Sequence, residues 1–251
     1  MIQSLLKSMD VLEVLKDKES CTIAQIVEEL NLPPSTVHRI LKTLCSEKYV
    51  VKDGDSHYYM LGPALISLGS AASKNIHLQK IAYPILKTLV SLTGEDTFLV
   101  IPVGNKGIVL ERIDGPRTLK IVEEFGDELY LHYGAIRRAI LAYQDEDFID
   151  AYIKKIIEGK KNKLKMTGDQ LLKKLEKIKE DGFSTSSGDY VKGTMGIAAP
   201  IFNSNGKVIS SIGIVVLRNK SLTEERINFL KEIVKTKGQE LSRCMGYCEK
   251  I

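Results

Sequence analysis

A set of short hydroxyl and basic side chains follows the proline pair Pro33-Pro34 at a spacing that suits contacts to nucleic acid. In a helix from Pro34 to about Ser46, apolar residues recur as one buried stripe, and the polar set falls on and beside the opposite face. That face contains no acidic residue before Glu47. Hydroxyls suit phosphate oxygens and base edges, and an arginine fork suits a bidentate contact to guanine. The candidate DNA contacts on this helix are Ser35, Thr36, His38, Arg39 and Lys42.

Two flanking elements complete a unit that would position this helix. Thr22 is predicted to cap a preceding amphipathic helix. A four-residue turn joins the two helices, so the pattern predicts a helix-turn-helix. The β-rich runs Tyr49–Lys52 and His57–Leu61 surround a glycine-containing loop and predict a hairpin, a wing whose tip reaches phosphates. We add Thr22 and Lys52 to the DNA-binding set. The alternative is a small helical domain for protein contacts, whose outer face would not need to lack acids.

Charge alone does not decide between these two interpretations. The chain of 251 residues has a formal net charge of +4, but residues 1–61 contain seven basic and nine acidic side chains. The DNA-binding hypothesis therefore depends on where the charges point. The most basic stretch, residues 154–180 with ten lysines and four acids, is explained by solvated helix faces.

The remaining chain predicts a linker and an α+β domain. Helical periodicity predicts linker helices, and from Asp96 the period changes to that of strands. The predicted domains are a winged helix-turn-helix over 1–61, a linker helix over 62–76 and a second domain over 77–251. Its mixed, largely antiparallel sheet packs against helices. The predicted strands are 97–103, 108–113, 118–125, 183–186, 196–202 and 207–217, and the predicted helices are 64–74, 77–92, 134–143, 146–158, 168–181 and 222–247.

The stretch from Leu30 to Gly69 resembles the helix-turn-helix and wing of the IclR family of transcriptional regulators. Ser35-Thr36-Val37-His38-Arg39 matches the family's helix without departure, and Leu131–Ala139 and Tyr190–Val215 resemble its effector domain. The resemblance implies a GAF-like effector-binding domain with an antiparallel sheet. It also implies a regulator that binds a palindromic double-stranded operator as a homodimer, or as a tetramer, and responds to a small-molecule effector.

Gly134 and Ala135 begin a predicted helix, where free N–H groups bind carboxylates well and small residues let a ligand approach. A helix that simply follows a turn is the alternative. The resemblance adds Gly196, Gly213 and Val215 as effector-binding positions, and Ser186 is expected to lie where the strands of these residues meet the helix start. Gly196 replaces a common cysteine, and Gly213 and Val215 replace common serines, so we expect a larger or less polar ligand with one carboxylate. Arg137-Arg138, in place of the family's Gly-Lys, is expected to face solvent, with an anion contact as the alternative.

Other function classes find little support in the sequence. It contains no nucleophile elbow, Walker loop, zinc-protease motif or dinucleotide fingerprint, so neither an enzyme nor a cofactor is predicted. The four cysteines are predicted to be free thiols, and no apolar run is long enough to span a membrane. Without an export signal the expected compartment is the cytoplasm. Two alternatives stay open: an enzyme fused to a DNA-binding domain, and a regulator that has lost ligand binding.

Overall fold

A computed structural model describes residues 2–54, 56–74, 77–116, 126, 128–159, 166–189, 191–219 and 222–248. The chain divides into two compact units, residues 1–76 and residues 77–251. Each unit contains a hydrophobic core of its own.

The N-terminal unit is a helical cluster followed by a small sheet. Its core contains Val11, Leu15, Ile26, Val37 and Leu41, all of which are inaccessible or nearly so. These residues lie on the first three helices at helical spacing, so each helix buries one stripe against the other two. The elements of the unit are α1 (Gln3–Lys18), α2 (Ile23–Leu30), α3 (Pro34–Ser46), β1 (Val50–Lys52), β2 (Tyr59–Leu61) and α4 (Ala64–Lys74).

Local signals set the turn between α2 and α3. The predicted cap is confirmed: the Thr22 hydroxyl accepts from the N–H of Gln25, and the Gln25 side chain accepts from the N–H of Thr22 at 2.8 Å. Asn31 ends α2 in the left-handed region, which asparagine tolerates. Pro34 occupies the first turn of α3, where its missing N–H costs nothing.

The predicted wing is an antiparallel hairpin in which Val51 of β1 lies opposite Met60 of β2. Its second strand is shorter than predicted because His57 has a φ of +56°. A β-strand requires a negative φ, so pairing begins only at Tyr59.

The C-terminal unit is built on a six-stranded sheet, and every described strand pair is antiparallel. The strand order is β5-β4-β3-β8-β7-β6. The elements are α5 (His77–Thr93), β3 (Asp96–Val103), β4 (Lys106–Ile113), β5 (Glu128–Tyr130), α6 (Gly134–Leu141), α7 (Glu146–Tyr152), a π-helical turn (Ile153–Ile157), α8 (Gly168–Asp181), β6 (Ser184–Ser187), β7 (Thr194–Phe202), β8 (Val208–Leu217) and α9 (Glu224–Cys244).

Helices cover both faces of this sheet. A Cβ placed on Gly196 of β7 would lie 3.2 Å from the Cβ of Ala135, so α6 packs on the face of Gly196. A Cβ placed on Gly238 of α9 would lie 2.5 Å from the Cβ of Ala199. Because side chains of a strand alternate between faces, α6 and α9 lie on opposite sides of β7. The main core lies on the α6 side.

The α+β class, with a helix-turn-helix and an antiparallel sheet, is confirmed. The expected mixture of strand directions is wrong for the described pairs. The predicted strand at 118–125 lies outside the described residues, and β5 at Glu128–Tyr130 was not predicted. Three residues give too short a pattern for periodicity to detect. The predicted helix at 146–158 is α7 continued by the π-helical turn.

Candidate functional sites

Helix α3 presents the predicted basic face to solvent. Ser35, His38, Arg39 and Lys42 are exposed, and Thr36 is half-buried. Within the described residues, the side chains of Arg39 and Lys42 have no hydrogen-bond or ion-pair partner. The two cations therefore remain available to an anionic partner.

The acidic residues of this unit lie elsewhere. Glu13 pairs with Lys16 on α1, and Glu29 on α2 pairs with Lys18 at 2.8 Å. No acidic residue lies within α3. The negative balance of residues 1–61 therefore does not fall on the α3 face.

The two remaining predicted DNA contacts, Thr22 and Lys52, are already engaged within the protein. The Thr22 hydroxyl forms the cap of α2 and also donates to Gln25 Oε1 at 3.2 Å. Lys52 is exposed at the end of β1, with its ammonium 5.9 Å from the centre of the Tyr59 ring. Thr22 therefore sets the start of α2, while Lys52 keeps an open side toward solvent.

The N-terminal part of α1 carries an exposed apolar stripe. The exposed fractions of Ile2, Leu5, Leu6 and Met9 are 69%, 53%, 42% and 52%. On α4, Ile66 is 76% exposed. Contiguous exposed apolar residues of this kind mark an interaction surface.

The predicted effector residues meet at the start of α6. Gly134, Ala135, Ser186, Gly196 and Val215 line one cavity of about 30 Å³. Small-molecule pockets measure about 300–1,000 Å³, at least about ten times this volume. In this structure the cavity is therefore too small for a small-molecule effector.

Internal groups fill the position expected for a ligand. The N–H of Ala135 donates to the Ser186 hydroxyl at 3.0 Å. A Cβ on Gly196 would lie 2.7 Å from the same hydroxyl oxygen. Ser186 therefore stands where an acceptor atom of a ligand would bind the helix N-terminus.

Gly213 does not line this cavity. A Cβ at Gly213 would lie 2.7 Å from Ile136 Cγ1 and 2.7 Å from the carbonyl oxygen of Ile197. The volume that the family's serine would occupy is taken by α6 packed directly on the sheet. In this structure Gly213 is a packing position under α6, and its role in effector binding stays a prediction.

Both arginines of α6 are buried, so the expectation that they face solvent is wrong. Arg137 is 2% exposed and Arg138 is 1% exposed. Seven of the eight residues of α6, Ala135 to Leu141, are buried. A helix that is buried on every side offers no solvent face to its charged residues.

Arg138 holds the β6–β7 connection against α6. Its guanidinium pairs with Asp189 and donates to the carbonyl oxygen of Thr185 at 3.0 Å. Arg137 donates through Nε to the carbonyl oxygen of Gly107 at 3.1 Å. Sequence reasoning missed Asp189, which lines the cavity along with Arg137, Val191 and Thr194. Asp189 lies outside both segments of this unit that resemble the family, so only its pairing with Arg138 and its place in the cavity wall identify it.

His132 lies directly beneath this cluster and is fully buried. Its Nδ1 lies 2.7 Å from the Tyr152 hydroxyl. Burial, and then the positive charge of Arg138, lower the pKa of His132 to about 4. The imidazole is therefore neutral at physiological pH and acts as a packed, hydrogen-bonded core group.

No group of three or more His, Cys, Asp or Glu residues that could hold a metal ion occurs in the described part of the chain. Cys21 is buried, Cys45 is half-buried, and Cys244 and Cys248 are exposed, all as free thiols. Among the helices that the structure describes, none is long and apolar enough to cross a membrane.

Comparison with known proteins identifies both units. The IclR helix-turn-helix domain family matches residues 4–54, and the family described as "Bacterial transcriptional regulator IclR C-terminal" matches residues 70–243. The chain is 29% identical over 246 residues to the HTH-type transcriptional regulator KipR of Bacillus subtilis, covering 98% of each chain. It is 28% identical to the regulator KdgR of Escherichia coli, covering 98% of this chain and 94% of KdgR.

A solved structure agrees. The IclR protein of Thermotoga maritima is 26% identical, with a TM-score of 0.67 over 98% of this chain and 100% of that one. The matched families and relatives are transcriptional regulators and not enzymes. With both units matched, the chain belongs to the IclR family of bacterial transcriptional regulators.

Proposed function

We propose that this regulator acts in the cytoplasm, binds a palindromic operator as a homodimer, and changes its DNA affinity when a small molecule enters the α6 cavity. The observation that carries the DNA part is the exposed, acid-free face of α3, with Arg39 and Lys42 unpaired among the described residues. A major groove admits such a helix, and its phosphates attract both cations.

Each residue of the DNA-binding set has a distinct role in this proposal. Arg39, in the middle of α3, makes a bidentate contact to guanine O6 and N7. Lys42 and Lys52 contact phosphates from the helix and the wing, and the hydroxyls of Ser35 and Thr36 contact phosphate oxygens or bases. His38 lies beside Arg39 on the exposed face. Thr22 contributes by fixing the start of α2.

The homodimer is supported by the exposed apolar stripe of α1. One helix-turn-helix reads too few base pairs for a specific site, so two copies bind half-sites that lie about 34 Å apart or a multiple of that distance. Burying Leu5 and Met9, which are 53% and 52% exposed, against a second copy removes apolar surface from water. A tetramer forms if the C-terminal units associate as well.

The effector part rests on the groups that now fill the α6 cavity. The Ser186 hydroxyl accepts a hydrogen bond from the N–H of Ala135, and the Asp189 carboxylate forms an ion pair with Arg138. A ligand carboxylate, like these two groups, accepts hydrogen bonds from the N–H of Ala135 and from Arg138. We infer that a carboxylate ligand replaces Ser186 at the helix N-terminus and contacts Gly134, Gly196 and Val215 when the cavity opens.

Operator footprinting tests the DNA part. DNA from upstream of the protein's own reading frame is digested with and without wild-type protein and the Arg39→Ala variant. A protected inverted repeat in the wild type, absent in the variant, supports the proposal. Equal protection by both proteins contradicts it.

The 30 Å³ volume of the cavity favours a second candidate, a regulator that no longer binds an effector. Thermal unfolding against a panel of small carboxylates and aromatic compounds separates the two. A saturable rise in the melting temperature that Ala135→Asp abolishes supports sensing, because a ligand that binds only the folded state stabilises it. A flat response across the panel supports the second candidate.

A further inference from the structure

A second cavity in the C-terminal unit is separate from the α6 cavity. Its volume is about 340 Å³, within the range of about 300–1,000 Å³ that small-molecule sites occupy. It lies between the end of α8, the end of β7 and the last turns of α9. The two cavities share no lining residue: the α6 cavity is lined by Thr194 and Gly196 of β7, and the second by Ala199, Pro200 and Phe202.

Three aromatic rings form one wall of the second cavity. The Tyr143 and Phe202 rings meet edge to face with centroids 4.9 Å apart, and the Phe202 and Tyr247 rings lie 5.1 Å apart. The backbone behind this wall is fixed, since the N–H of Phe202 donates to the Ser242 hydroxyl at 3.1 Å. A preformed aromatic wall favours a flat, unsaturated ligand.

Cations surround this wall. Lys179 and Arg243 line the cavity, and neither side chain has a hydrogen-bond or ion-pair partner among the described residues. Lys235 also lines it and donates to the carbonyl oxygen of Asp181 at 2.8 Å. Two lining side chains therefore carry positive charge that no described group of the protein neutralises.

The two acidic residues at the cavity share one ammonium outside it, and three cations, Lys179, Lys235 and Arg243, line the cavity against these two acids. The Asp181 carboxylate pairs with Lys177 at 2.9 Å, and Glu180 lies 3.8 Å from the same ammonium. Lys177 does not line the cavity. The local field consequently favours an anion over a cation.

We propose that this second cavity is a small-molecule site for an aromatic carboxylate, with the ring against Tyr143, Phe202 and Tyr247 and the carboxylate between Lys179 and Arg243. A bidentate contact from the Arg243 fork suits a carboxylate, and Lys179 adds a point charge. This site is independent of the effector proposal for the α6 cavity.

The chain contains no tryptophan, so a single introduced tryptophan reports benzoate binding by its fluorescence. Tyr247→Trp places the reporter in the second cavity, and Val191→Trp places one at the α6 cavity. We expect a saturable change in emission from Tyr247→Trp and weaker binding of benzamide, which lacks the charge, and of cyclohexanecarboxylate, which lacks the ring. Calorimetry on the wild type must give a matching affinity for benzoate.

Charge removal provides the matched comparison. Lys179→Gln with Arg243→Gln should weaken benzoate binding roughly threefold to thirtyfold, the sum of two partly exposed ion pairs. Lys173→Gln with Lys174→Gln, exposed on the same helix and outside the cavity, should leave it unchanged.

Ala135→Asp separates this site from the proposed effector site. Retained benzoate binding in that variant supports the second site even if the α6 proposal fails. Three results would overturn it: no saturable binding to the wild type, equal affinity for benzamide, or loss of binding in Ala135→Asp with no effect of the Lys179 and Arg243 substitutions.

Discussion

Replacing Asp189 by asparagine should destabilise the C-terminal unit, because it leaves the charge of Arg138 buried without its carboxylate. Arg138 is 1% exposed and the side chain of Asp189 is 21% exposed. Removing one partner of a buried pair costs about 3–5 kcal/mol. Partial exposure of Asp189, and the hydrogen bond that Arg138 keeps to Thr185, place the expected loss near the lower limit, at about 3 kcal/mol.

Thermal and urea unfolding of the full chain measure this loss. For a unit of this size, about 3 kcal/mol corresponds to a melting temperature lower by about 6–12 °C. Asp150→Asn, an exposed carboxylate on α7, is the matched control and should change stability by less than about 0.5 kcal/mol.

A double-mutant cycle with Arg138→Met measures the interaction energy of the Arg138–Asp189 pair. Once the guanidinium is replaced by an apolar side chain, Asp189→Asn should cost much less than it does in the wild type. If Asp189→Asn leaves the wild type within about 0.5 kcal/mol, or costs the same in both backgrounds, the ion pair does not hold the β6–β7 connection and the reasoning fails.

Four further outcomes are expected. In gel-shift titrations, Arg39→Ala should cost about 1–3 kcal/mol and relax preference at one base pair of each half-site. Unchanged operator affinity for Arg39→Ala would exclude the assigned contact. Lys42→Ala should instead weaken binding to all DNA sequences alike and reduce the slope of log affinity against log salt concentration by about one. Met9→Glu should shift the chain toward monomer in sedimentation, whereas Glu13→Gln should not. The lowered pKa of His132 means that the unfolded chain binds a proton before the folded one does. About 3 kcal/mol of stability should therefore be lost as the pH falls from about 6.5 to about 4, and His132→Gln should lack this contribution in urea unfolding.

Local elements were predictable because their signals lie within a few residues of one another. The bounds of α3 and α8 agree with the predicted helices, and the Thr22 cap forms as expected. Hydrophobic periodicity and capping depend on neighbours three and four residues away, which the sequence displays directly. The π-helical turn at Ile153–Ile157 was missed because its residues follow the same apolar pattern as an α-helix.

The effector site was only partly predictable. Helix-start reasoning and the family resemblance together identified five residues that line the α6 cavity, but Gly213 lies under Ile136 instead. Asp189 escaped prediction because it joins the cavity through contacts between distant segments, and the burial of Arg137 was not expected for the same reason. The Arg138–Asp189 pair, for example, spans 51 positions in the sequence.

The sequence by itself determined the α3 face, since one helix turn and its buried stripe dictate which side chains point outward. It also determined the family and the α+β class, through long matching segments. Only the tertiary structure decided that both α6 arginines are buried and that Ser186 accepts a hydrogen bond from the Ala135 N–H. It also decided that a second cavity lies between α8 and α9. Burial and cavity volume arise where separate elements pack against one another. One element's periodicity therefore does not specify how closely its neighbour approaches.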